Sequence, residues 1–260
     1  MTRAPFVALG LATLVAIPAS AQSLASRIGA VRDGSVRFSY AAREDVCGNG
    51  ENNIQTGHGR HYRSDSDDGD YERYCDYGPV RIRLTLSEGE VSRMRVSVGG
   101  RLRENASPAT DLGEVSVREA TDYLLGLARR SRTRAGGEAI FAVTLADSVT
   151  PWPEMFRIAR DENVRQDTRK QSVFWLGQAA GDKATEGLSE LAEDEDEDRE
   201  VRESAVFALS QLGDDEGVPA LIRIARGNKD PKIRRTALFW LGQSEDPRAL
   251  DLFEELLSQN

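Results

Sequence analysis

Val80-Arg81-Ile82-Arg83-Leu84-Thr85-Leu86 alternates apolar and polar residues strictly, which is the period of a strand with one buried face. Ser87-Glu88-Gly89-Glu90 follows as a turn, and Val91 to Val98 then places Met94, Val96 and Val98 on one face. The two runs predict a β-hairpin over 80–98, ended by Gly99-Gly100. Upstream, Val36, Phe38 and Tyr40 alternate in the same way and predict another strand. The polar stretch Gly48 to Asp70 lies between them and reads as a long loop. From about Val115 the period of two gives way to helical spacing. Val201, Ala205, Ala208, Leu209 and Leu212 mark the apolar face of one such helix.

The helical part repeats. Arg169 to Gln178 (RKQSVFWLGQ) returns as Arg202 to Gln211 (RESAVFALSQ) 33 residues later, and as Arg234 to Gln243 (RRTALFWLGQ) 32 residues after that. Stepping back 33 residues from Phe174 reaches Phe141, in a weaker fourth copy. The intervening segments repeat too. Pro153 to Arg160 (PEMFRIAR) matches Pro219 to Arg226 (PALIRIAR) at an offset of 66. Leu188 to Ala192 and Leu250 to Leu257 fill the same slot elsewhere. Each unit is thus a pair of helices, A and B, and a period of this length is the signature of a helical solenoid. Asp230-Pro231 fits a helix start.

The units resemble HEAT repeats, particularly the short bacterial HEAT-like type also seen in phycobilin lyases. Val201-Arg202 with Ala205 and Leu209, then Gly213-Asp214 and Val218-Pro219-Ala220-Leu221, carry the resemblance, which spans about 136–257. It implies an α-solenoid of about four helix pairs and a function mostly as an interaction scaffold, with some similar proteins supporting lyase chemistry on bilins. It also implies a ladder across the stack, built from an Asp four residues before each repeat Arg. Asp198/Arg202 and Asp230/Arg234 match this spacing, whereas Arg165 stands where the pattern has Asp. The fold class is therefore α+β: a small β-rich module, 22–114, followed by a HEAT-like helical domain, 115–260.

Composition bounds the partner. Acidic residues number 43 against 34 basic ones, for a formal net charge of -9, which disfavours nucleic acid. Arg3, the apolar run Phe6 to Ile17 and Ala19-Ser20-Ala21 have the order of a signal peptide over 1–21, cleaved near Ala21. That run is too short for a membrane span, and no later segment reaches the length of one. The expected compartment is periplasmic or extracellular. Cys47 and Cys75 are the only cysteines, and in an oxidising compartment they read as a disulfide that ties the β-rich module.

Candidate sites come from the repeats and from that loop. The column Phe141, Phe174, Phe207 and Phe239 reads first as packing between stacked repeats, with an exposed stripe as the alternative. Arg157 and Arg160, Glu186 and Glu190, Arg223 and Arg226, then Asp251, Glu254 and Glu255 alternate in sign along successive B helices. This predicts an inter-repeat charge network, or a charge-patterned surface. Arg157, Arg160, Arg223, Arg226, Trp175 and Trp240 are the candidate partner-binding residues. The acidic run Glu193 to Asp198 reads as a solvated loop. His58 and His61, with Cys47 and Cys75, offer a zinc alternative. Asp65, Asp67, Asp68 and Asp70 miss the spacing of a calcium loop. No phosphate loop or nucleophile motif is present, and no cofactor is expected. The leading reading is an exported scaffold that binds a protein or peptide along one solenoid face. The alternative is an enzyme or metal-binding protein with its site between Cys47 and Cys75.

Overall fold

The computed structural model describes residues 22–51, 53–56, 75–100, 108–179 and 184–258. The segment expected to be a signal peptide, together with His58, His61 and the aspartates after them, lies outside the described residues. A short helix α1 (Leu24–Gly29) precedes strand β1 (Gly34–Tyr40). The long hairpin is β5 (Val80–Ser87) and β6 (Glu90–Val98), and β7 (Thr110–Glu114) completes a four-stranded sheet in the order β6-β5-β1-β7. β1 runs antiparallel to β5 and parallel to β7.

The hairpin forms where the alternation placed it. Ser87 pairs with Glu90, leaving Glu88 and Gly89 as the turn, with φ of 55° and 83°. Positive φ at both positions is what a two-residue turn of matching twist demands. Val80, Ile82, Leu84 and Leu86 are buried, and the polar residues between them face outward.

The polar stretch after β1 is not wholly loop. β2 (Cys47–Gly48), β3 (Ile54–Gln55) and β4 (Asp76–Tyr77) form a second small sheet in the order β3-β2-β4. The Cys47–Cys75 disulfide ties it together. This sheet sits hard against the end of β6. Gly99 and Gly100 both have φ of 58°, and a Cβ at either would fall on the backbone of Asp76 or Asn49. Only glycine allows that approach.

Nine helices follow among the described residues. α2 (Val117–Arg130) begins at the Ser116 cap. Four pairs come next: α3 (Ala135–Thr144) with α4 (Trp152–Arg160), α5 (Gln166–Ala179) with α6 (Thr185–Glu193), α7 (Arg199–Ser210) with α8 (Asp214–Gly227), and α9 (Pro231–Leu241) with α10 (Pro247–Ser258). The α+β class and the run of about four helix pairs hold. The sheet and the helices share one core. Tyr40 donates its hydroxyl to the Ala142 carbonyl at 2.7 Å, inside that core, and Phe38 packs edge-on against Tyr123 at 6.2 Å. Burial pushes the Tyr40 phenol far above its usual range.

The repeat arginines lock the stack. Arg169 is 2% exposed. Its Nε donates to the Ala159 carbonyl at 2.9 Å, and its other nitrogens reach Asp198 at 2.8 Å and Glu197. Arg202 repeats the motif, donating to the Ala192 carbonyl at 3.2 Å and approaching Asp230 at 3.7 Å. The implied ladder therefore runs from Arg169 and from Arg202 to the acid of the next repeat. Asp198 and Asp230, four residues before Arg202 and Arg234, are the acids that meet the preceding repeat's arginine, so the ladder across the stack forms from the residues that the spacing named. Arg234 breaks the series and donates to the carbonyls of Asn228 and Lys229. Arg165, where the pattern has Asp, reaches back to the Arg132 carbonyl at 3.0 Å.

Candidate functional site

Along the A helices, six aromatic rings form a continuous row. Phe141 on α3 stacks on Trp175 of α5, centroids 4.7 Å apart. Phe174 stands edge-on to Trp175 at 4.9 Å and lies parallel to Phe207 of α7 at 6.2 Å. Phe207 meets Trp240 of α9 at 4.9 Å, and Phe239 closes the row edge-on to Trp240 at 5.0 Å. The residue after each phenylalanine alternates between Ala and Trp. Ala142 and Ala208 are buried, and the next repeat's tryptophan packs over the phenylalanine beside them. α5 and α7 can approach closely because Gly177 faces Ala208, where a Cβ would stand only 2.9 Å from the Ala208 methyl.

The packing expectation for this column is met only in part. The rings touch across repeats, yet none is buried. Phe141, Phe174, Trp175, Phe207 and Trp240 are half-buried, and Phe239 is 57% exposed. The fully buried inter-repeat core is built instead from Val173, Leu176, Val206, Leu209, Ile233 and Leu241. The row is therefore an apolar surface laid over a core that is already closed.

The candidate arginines lie on the B helices. Arg160 pairs with Glu190 at 2.7 Å, Arg223 with Glu193 at 3.1 Å, and Arg226 with Glu255. Arg157 pairs within its own helix with Glu154, which also holds Arg129. Three of the four thus bridge neighbouring repeats. The acidic run is largely exposed to solvent, as expected, but most of its charges are paired. Glu193, Glu195, Glu197 and Asp198 pair with Arg223, Lys229 and Arg169.

Sequence reasoning passed over the outer face of the four-stranded sheet. Register sets Arg83 directly opposite Arg37 on one side and Arg95 on the other. Arg81 and Arg93 share this face, flanking the row. Arg37 pairs with Asp111 of β7 at 2.7 Å, and Arg81 donates to the Gly99 carbonyl at 2.5 Å. Among the described residues neither Arg93 nor Arg95 forms an ion pair. A groove of about 990 Å³ runs over this face, with Glu51, Ile54, Glu114, Glu138 and Phe141 at its borders. Desolvation holds the Glu138 carboxyl above the usual range, against the opposing pull of Arg93, Arg134 and Arg95. The available signal was that five polar positions of three strands, Arg37, Arg81, Arg83, Arg93 and Arg95, are arginine where serine or threonine would serve.

Among the described residues, no group of three or more His, Cys, Asp or Glu side chains is placed to hold a metal ion. No described helix is long and apolar enough to cross a membrane. No curated protein matches the chain. A family sequence model described as HEAT repeats matches residues 153–226 and 188–260. Those matches fall on α4 to α10 and carry the alternation of A and B helices, so the C-terminal segment 153–260 of this chain is a run of HEAT repeats.

Proposed function

We propose that this protein is an exported scaffold that binds a protein or peptide along the A-helix face of its repeats. The half-exposed row from Phe141 to Phe239 carries the reading. HEAT repeats suggest protein-interaction scaffolds in general, and a row of partly exposed rings that ends on the exposed Phe239 supports an interaction site on this face. Trp175 and Trp240 are its central anchors, since aromatic residues dominate binding energy at interfaces. Arg160, Arg223 and Arg226 serve mainly to fix the register of the B helices, and Arg157 pairs within its own helix, because their charges are already met. The domain boundary near 114/115 belongs to the same proposal: the β-rich region carries a surface of its own. Export is supported by the Cys47–Cys75 disulfide, a bond that persists in oxidising compartments, and by the apolar run Phe6 to Ile17 ahead of Ala19-Ser20-Ala21.

The test is capture from an extract of the producing cell, comparing the native chain with a Phe207→Ala/Phe239→Ser/Trp240→Ala variant. The reading requires that a partner retained by the native chain is lost by the variant while the helical circular-dichroism signal persists. Capture unaffected by the three substitutions would refute it.

A further inference from the structure

The last helix pair keeps an apolar face where the earlier pairs are covered. Within the stack each B helix is packed by the A helix that follows it, α4 by α5, α6 by α7 and α8 by α9. Among the described residues no helix follows α10. Val218, Leu221 and Ala225 of α8 are buried. Their counterparts 32 residues on are Leu250, 64% exposed, Phe253, half-buried, and Leu257, 78% exposed. On the A helices, Val206 is buried and its counterpart Leu238 only half so. A repeat that closes a solenoid against water carries polar residues on its outer side. This one carries leucine and phenylalanine. The other end of the stack is covered, since β6 packs on α3.

The same face carries charges of both signs. Arg169 and Lys170 reach Asp198 and Glu200 of the following repeat. Arg234 and Arg235 occupy the same two positions on α9, and neither forms an ion pair among the described residues. Glu254 lies between Leu250 and Leu257 on one stripe of α10. It is exposed and likewise forms no ion pair among the described residues.

We propose that a second copy of this chain covers the face, in a two-fold, end-to-end dimer in which α9 of each protomer lies antiparallel on α10 of the other. Charge complementarity selects this occupant. The face offers cations on α9 and an anion on α10, so a purely acidic or purely basic partner would set one of them against its like. A two-fold interface meets both at once, because the surface is matched with itself. The register agrees. Arg235 and Phe239 lie four and eight residues in from the start of α9 at Pro231, and Glu254 and Leu250 lie four and eight residues in from the end of α10 at Ser258. Antiparallel helices rising about 1.5 Å per residue therefore set Arg235 against Glu254 of the partner subunit, and Phe239 against Leu250 of the partner subunit, each contact occurring twice. α10 then receives an A helix, as α4, α6 and α8 do. Phe239 is shared with the end of the A-helix row, but the dimer needs none of the other rings, so each surface stands or falls alone.

The test is sedimentation equilibrium of the purified chain over a range of protein concentrations. The salt is held at about 0.15 M, where the repulsion between copies of net charge -9 is largely screened. The proposal predicts a mass that rises with concentration and levels at twice that of the chain. Leu250→Glu should weaken the dimer by about thirtyfold, as loss of a buried anchor does. Arg235→Glu and Glu254→Arg should each weaken it by about tenfold, since each brings like charges together, and the two combined should restore it. Phe141→Ala with Trp175→Ala should leave it unchanged. Leu250, Arg235 and Glu254 are exposed in the single chain, so the helical circular-dichroism signal should persist in their variants. Should Leu250→Glu lose that signal, Leu257→Ser takes its place. The proposal is overturned by a monomer at every concentration, by a mass beyond two copies, by a dimer indifferent to Leu250→Glu, or by a double reversal that stays as weak as the single ones.

Discussion

Phe174 and Phe207, 33 residues apart in sequence, lie with their rings 6.2 Å apart and only 9° from parallel. Equivalent positions of successive repeats thus share one face. Because neither ring is buried, the pair contributes to stacking and to an exposed surface at once. Phe207→Ala should lower the free energy of unfolding by about 1–2 kcal/mol, as loss of an aromatic pair and partial burial predicts. A fully buried phenylalanine would cost about 3–5 kcal/mol. Urea denaturation gives the number, and a loss in the larger range would mean that the row is core.

Arg169 is the converse case. Its guanidinium is enclosed, and the Glu197 side chain beside it is only 5% exposed. Arg169→Met leaves that carboxylate buried without its partner, a loss of about 3–5 kcal/mol. Adding Glu197→Gln should recover part of it. No recovery in the double mutant would show that the arginine acts through its packing, its bond to the Ala159 carbonyl and its pair with Asp198, and not through Glu197.

The B-helix pairs should behave as surface pairs. Arg223→Glu with Arg226→Glu sets like charges against Glu193 and Glu255. The destabilisation should be below about 1 kcal/mol per pair and should shrink as salt is raised. A loss that is large and indifferent to salt would contradict this assignment.

Acid should loosen the stack through its helix caps. The Asp230 carboxyl is held below the usual range first by the Lys232 backbone N–H and then by Arg199. Asp246 is held down chiefly by Arg248. A depressed carboxyl favours the folded state above its unfolded pKa of about 3.9 and loses that contribution as pH falls further. The melting temperature should therefore drop below about pH 4. Asp230→Asn keeps a cap acceptor but does not titrate, so the drop should be shallower in that variant. An identical pH profile would remove Asp230 from the account.

What was legible in the sequence follows from which problems are local. Repeats of 32 to 33 residues show themselves because every unit solves the same packing problem with the same residues. The hairpin shows itself because a strand with one buried face must alternate. β7 was invisible, since Thr110 to Glu114 lies at a sheet edge and buries nothing that would imprint a pattern. The partners of Arg169 were missed because its acids come from the following repeat, 28 and 29 residues away. The arginine ladder needed register. Alternation puts Arg81 and Arg83 on the polar face, but only strand pairing brings Arg83 opposite Arg37 and Arg95.

Site-specific photo-crosslinking in the producing cell tests the central claim most directly. A benzophenone amino acid is placed at Phe207 or Phe239 on the A-helix row, and at Leu250, 64% exposed, on a B helix. The account predicts a discrete crosslinked protein, other than a second copy of the chain, from positions 207 and 239 and none from 250. Such adducts from position 250 with none from 207 or 239 would contradict it.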